Sequence, residues 1–128
     1  MREVVRTLRE LAELDRGDFV DARHDRWAAE RGLQLAAEST LDIGSHILVS
    51  HLNETPDTYD SIVDGLAERN VIDDELGERM SGLGRFRNIL VHDYLEVDAE
   101  RLYDFLTNRL DDFLRYADQI EAFVDGLD

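Results

Sequence analysis

Apolar residues recur every three or four positions along almost the whole chain, a spacing that builds helices and leaves strands no alternating run. Val4, Val5, Leu8, Leu11 and Ala12 mark a first helix over roughly residues 2–15, after which Gly17 and Asp18 break the pattern. A long second helix is expected over roughly residues 21–53. At 100° per residue, Leu33, Ala36, Ala37, Leu41, Ile43, Gly44, Ile47 and Leu48 share an arc about 160° wide. Opposite them Arg31, Gln34, Glu38, Asp42 and His46 form a continuous polar ridge, either a solvated face laced with i,i+4 pairs or the border of a site. Thr55-Pro56-Asp57 predicts the start of a third helix, with Thr55 as N-cap and Pro56 in the first turn, ending near Arg69. A fourth helix carries Leu76, Met80, Leu83, Phe86, Leu90 and Val91, and Gly77, Gly82 and Gly84 weaken it or admit a close neighbour. Asp98 caps a last helix of about 28 residues whose apolar stripe runs from Leu102 to Leu127 and suits a bundle or a dimer seam. The expected fold is all-α: an antiparallel bundle of four to five helices, with a long second helix and a long C-terminal one. Its 128 residues suffice for one domain, residues 1–128, with no internal repeat or linker.

Composition narrows the chemistry. Cysteine is absent, which removes disulfides, thiolate metal sites and cysteine nucleophiles. No 18-residue apolar run exists, and the charged start MREVVRTLRELAEL has no signal-peptide apolar region, so a cytoplasmic protein without membrane contact is expected. Thirty acids face 14 bases for a net charge of −16, and every base is Arg. A GC-rich genome accounts for Arg over Lys but not for the acid excess. A halophilic cytoplasm would account for the acid excess, because molar salt screens the self-repulsion of a hydrated acidic shell. An ordinary acidic protein from a GC-rich mesophile is the other reading.

One stretch departs from this charge pattern. Residues 79–92 contain no acid and include Arg79, Arg85, Arg87 and His92. A buried helix also excludes acids, but burial does not favour three Arg. A local positive patch on an acidic protein points to an anionic ligand, phosphate first.

Within that run lies Arg87-Asn88-Ile89-Leu90-Val91-His92-Asp93-Tyr94. It resembles the Arg-polar-x-x-x-His signature of the HEPN ribonuclease superfamily and, with the trailing x-Tyr, its HepT toxin branch. Glu30-Arg31-Gly32-Leu33-Gln34, Glu38 and Leu41-Asp42-Ile43-Gly44-Ser45-His46-Ile47 are similar to that family's second helix, and the single Pro before the third helix agrees. The resemblance spans nearly the whole chain. It implies a HEPN-type bundle, a homodimer with its cleft at the interface, an RNA substrate and a MntA-like minimal nucleotidyltransferase antitoxin as partner.

The chemistry of RNA cleavage fits those residue types. Attack by the ribose 2′-hydroxyl needs a group that exchanges a proton near neutral pH, which suits His, and fixed positive charge on the transition state, which suits Arg. No metal or cofactor is then required. By resemblance His92 transfers protons, Arg87 stabilises the transition state, Asn88 positions substrate or holds the His92 ring, and Tyr94 accepts adenylyl groups from the antitoxin. Arg87 and His92 are i,i+5, about 140° apart on a regular helix, so Arg87 must curl round or a second protomer must complete the site. Arg85, Glu38 and Asp42 are candidate supports, the two acids as braces for Arg87.

Blander readings stand beside these. Outside the motif, His92 would be a packed helix residue and Tyr94 a half-buried aromatic; Trp27 and Tyr59 read as packing residues; Asp42 with His46 is an i,i+4 pair of the sort that seldom binds metal. The expected function is a metal-independent endoribonuclease toxin silenced by adenylylation of Tyr94. The alternatives are a catalytically silent HEPN subunit that binds substrate or nucleotide for a minimal nucleotidyltransferase, and a plain helical dimerisation protein. An acidic protein exerts no long-range pull on RNA, so binding must rest on local Arg geometry and shape.

Overall fold

The computed structural model describes residues 1–91 and 98–127. They form helices throughout: α1 (Arg2–Ala12), α2 (Arg16–Asp21), α3 (Arg23–Leu52), α4 (Tyr59–Glu68), α5 (Asp74–Arg79), α6 (Leu83–Val91), α7 (Ala99–Asn108) and α8 (Leu110–Asp125). No described helix is long and apolar enough to cross a membrane.

The 30-residue α3 is the spine, and α1, α4, α6 and α7 all pack on it. Its arc of Leu33, Ala36, Ala37, Leu41, Gly44, Ile47 and Leu48 is buried as the periodicity requires. Ile43 is the exception at 40% exposure, because it sits at the edge of the arc. Gly44 lets two helices close on the spine at one level. A Cβ there would lie 2.7 Å from Ile62 Cγ2, 2.9 Å from Leu66 Cδ1 and 3.0 Å from the Tyr116 hydroxyl. That hydroxyl donates to the Thr40 carbonyl at 2.8 Å, and burial pushes the phenol above its ordinary range.

Four expected features are built differently. Gly17 and Asp18 do not end in a loop: they lie inside the short α2, whose Phe19 is fully buried. The third helix starts three residues later than Thr55-Pro56 suggests. Thr58 is its N-cap and forms a reciprocal capping box with Ser61, which satisfies two orphan N–H groups where Thr55 would satisfy one. The expected fourth and last helices are each two. Gly82, at φ +85°, turns the chain between α5 and α6, and Arg109 leaves helical geometry between α7 and α8. Each break preserves the apolar period across it, which is why periodicity missed both. If each broken pair counts once and the single-turn α2 is set aside, five helices remain, the expected bundle.

One buried carboxylate ties the two breaks together. Asp112 near the start of α8, its side chain 7% exposed, accepts from Arg79 Nε at 2.7 Å and lies 3.8 Å from Arg109 Nη1.

Candidate nuclease site

Helix α6 carries Arg87 and Asn88, and its start is fixed from α4. Gly84 admits the α4 backbone, since a Cβ there would lie 2.6 Å from Tyr59 Cβ and 2.9 Å from the Asp60 nitrogen. Asp60 Oδ1 then accepts from the Arg85 N–H at 3.3 Å, so a residue of α4 satisfies a donor of the first turn of α6. This docking places the Tyr59 ring beside the Arg87 side chain.

The Arg87 guanidinium is held by three groups. Glu38 Oε1 on α3 lies 3.3 Å from Nη2, Asn88 Oδ1 accepts from Nη1 at 3.1 Å, and the Tyr59 ring lies 4.9 Å beneath the guanidinium carbon. Gln34 donates to Glu38 Oε1 at 3.2 Å and steadies the carboxylate one helical turn away. The Arg87 and Glu38 side chains remain 23% and 30% exposed, so the cluster is open to a ligand while being shielded enough to stay ordered.

The polar ridge of α3 therefore divides. Gln34 and Glu38 turn to α6, whereas Arg31, Asp42 and His46 are exposed. Of the two acids expected beside Arg87, Glu38 meets its guanidinium, whereas Asp42 makes no ion pair or hydrogen bond with a described residue. The three Arg of the acid-free stretch do not form one patch. Arg79 pairs with Asp112, Arg87 pairs with Glu38, and only Arg85 leaves its guanidinium without a described partner. His92 and Tyr94 lie outside the described residues. Asn88 spends its amide oxygen on Arg87, within the same cluster.

Two aromatics expected to pack are instead exposed: Tyr59 at 42% and Trp27 at 57%. Tyr59 is the site residue that the sequence reading passed over. Only the Gly84 approach, a tertiary contact, brings it to Arg87, although a Tyr at the start of a helix and a Gly in the acid-free stretch were the available signals.

The model of the family described as ribonuclease HepT-like matches residues 1–120. The chain belongs to the ribonuclease HepT-like family. A relative from Shewanella oneidensis, an mRNA nuclease HepT, is 30% identical over 90 residues, covering 70% of this chain and 68% of that protein. A tRNA nuclease HepT from Aphanizomenon flos-aquae is 22% identical over 118 residues, covering 91% and 80%. Among solved structures, a tri-AMPylated Shewanella oneidensis HEPN toxin in complex with MNT antitoxin superposes with a TM-score of 0.84 at 24% identity, over 94% of this chain and 90% of that one. At that identity the superposition establishes a shared HEPN toxin fold. It agrees with the bundle described above for this HepT-like chain.

Proposed function

We propose that this HepT-like protein is an endoribonuclease toxin that cleaves RNA without a metal, at a site on a homodimer interface. A MntA-like nucleotidyltransferase neutralises it by adenylylating Tyr94. The observation that carries this reading is the Arg87 cluster: a guanidinium ordered by Glu38, Asn88 and Tyr59, half-open to a ligand, on the helix leading to His92. Family membership and the two HepT nuclease relatives support it.

In this mechanism the ribose 2′-oxygen attacks the adjacent phosphorus as His92 accepts the hydroxyl proton. Charge builds on the phosphoryl oxygens, where Arg87 meets it with a planar cationic fork. The 5′-oxygen departs with the proton that the His92 imidazolium gives back, leaving a 2′,3′-cyclic phosphate on one fragment and a 5′-hydroxyl on the other. Ordering the guanidinium in advance lowers the cost of reaching that geometry. AMP on Tyr94, two residues beyond His92, would add bulk and negative charge where RNA must lie. Two protomers would supply two Arg-His sets, and the 140° that a regular helix would put between residues five apart favours such sharing.

The test is RNA cleavage by antitoxin-free protein in molar KCl with EDTA, wild type beside His92→Ala, with the product ends identified. Cleavage that survives EDTA, leaves cyclic phosphate and disappears in His92→Ala supports the reading. Equal cleavage by both proteins removes His92 from the mechanism. No cleavage by unmodified dimeric wild type transfers the assignment to the silent binding subunit.

A further inference from the structure

The brace that holds Arg87 does not stop at Glu38. On α3, Trp27, Arg31, Gln34 and Glu38 lie within about 60° of one another around the helix axis, forming one ridge about 16 Å long. At its far end the Trp27 indole is 57% exposed. Arg23 places its guanidinium 5.3 Å over the indole ring, and His24 meets it edge-on at 6.1 Å. A large aromatic left in water on so acidic a protein forgoes burial worth having, and the Arg23 guanidinium over it gives it a particular chemistry.

The charge around it is equally specific. Most Arg side chains of this protein, such as Arg2, Arg9, Arg16 and Arg69, are paired with carboxylates. Arg23 and Arg31 have no carboxylate partner among the described residues, although the chain holds 30 acids. Asp25 lies about 160° round the helix from Trp27, away from the ridge, and Glu30, about 60° round, flanks it and has an interaction of its own. An exposed indole between two guanidinium groups that no described carboxylate neutralises, in line with a phosphate-handling Arg, matches what single-stranded nucleic acid requires: a face for a base and cations for the backbone.

We propose that Trp27, with Arg23 and Arg31, is an RNA subsite: a base stacks on the indole a few nucleotides from the phosphate held at Arg87, and the strand follows the α3 ridge between them. The proposal rests on the ribonuclease reading above and names the chemistry of its substrate contact. Stacking also resolves the difficulty of binding RNA to a protein of charge −16, because base–aromatic contact survives salt that weakens phosphate contacts.

Trp27 is the single tryptophan, so intrinsic fluorescence reports on this site alone. The experiment titrates wild-type protein with an uncleavable 2′-O-methyl oligoribonucleotide of about ten nucleotides. Cleavage kinetics are followed in parallel for wild type, Trp27→Leu, Trp27→Phe and Arg31→Gln. Saturable quenching is expected. Trp27→Leu should raise KM for single-stranded RNA about tenfold and change kcat far less, while Trp27→Phe recovers most of the loss. Arg31→Gln should raise KM less, with an effect that shrinks in high salt. RNA cleavage with unmoved fluorescence, or a wild-type KM in Trp27→Leu, would overturn the subsite and leave the ribonuclease standing. RNA that is neither bound nor cleaved would overturn both.

Discussion

The Arg87 guanidinium meets a carboxylate, an amide oxygen and a phenol ring within one cluster, each contributed by a different neighbour in space. A phosphate that arrives must share this guanidinium with Glu38, so Glu38 acts on the rate through Arg87. Glu38→Gln keeps the shape and a hydrogen-bond acceptor but removes the charge. It should lower kcat about tenfold with little change in Tm, since a half-exposed pair contributes little to stability. Steady-state cleavage together with thermal melting checks this, and an unchanged kcat would remove Glu38 from the machinery. Arg87→Lys, which keeps the charge and loses the fork, should cost on the order of a hundredfold in kcat. In both variants the product ends should remain cyclic phosphates, because His92 is untouched.

Helix boundaries decide where these side chains stand, and their chemistry is measurable. Thr58→Ala should destabilise the protein by about 1 kcal/mol, because it removes half of a capping box, whereas Thr55→Ala should fall within the error of a urea melt. Gly44→Ala should cost about 1–3 kcal/mol, since the new methyl meets Ile62, Leu66 and Tyr116 from two other helices. Asp73 caps α5 by accepting from the Leu76 N–H at 2.7 Å, and Gln119 donates to its second oxygen. The Leu76 N–H first, with Gln119 beside it, holds the Asp73 carboxyl below its usual 3.8. A depressed folded value stabilises the protein above the unfolded pKa, and that stability is lost as pH falls through the folded one. Asp73→Asn can still cap but cannot titrate. Its Tm should therefore fall less steeply than that of wild type between about pH 4 and pH 2.

At the scale of the molecule, charge dominates. Thirty acids and 14 Arg sit on a bundle whose ion pairs are mostly exposed, as with Arg2 to Asp118 and Glu121. Such pairs offset little of the repulsion of a −16 surface in dilute buffer. We propose a halophilic setting, and Tm should rise with KCl up to molar concentration; a Tm no higher in molar KCl than in dilute buffer would refute it. The Asp112 hub behaves differently, because its carboxylate is buried between Arg79 and Arg109. Asp112→Ala should lower Tm more than removal of any exposed carboxylate, and added salt should restore less of the loss.

The all-α class, the long spine and the site helix were legible in the chain itself, because helical periodicity needs only local spacing and a buried face. Leu33, Ala37, Gly44 and Leu48 sit where their period puts them, and Asp98 caps α7 as its position before an apolar stripe suggests. The Arg87 motif was legible as a family resemblance set in the one long acid-free stretch, and Glu38 as an acid on the polar ridge of the second helix. Local spacing could not reveal the breaks at Gly82 and Arg109, since both preserve the apolar stripe across the turn. Nor could it bring Tyr59 under Arg87 or leave Trp27 in water, for an aromatic at helical spacing is equally compatible with core and surface. Local spacing was enough for the helical class, the apolar faces and the residues that carry charge for chemistry. Tertiary structure alone decided which faces remain open, because exposure depends on where neighbouring helices end.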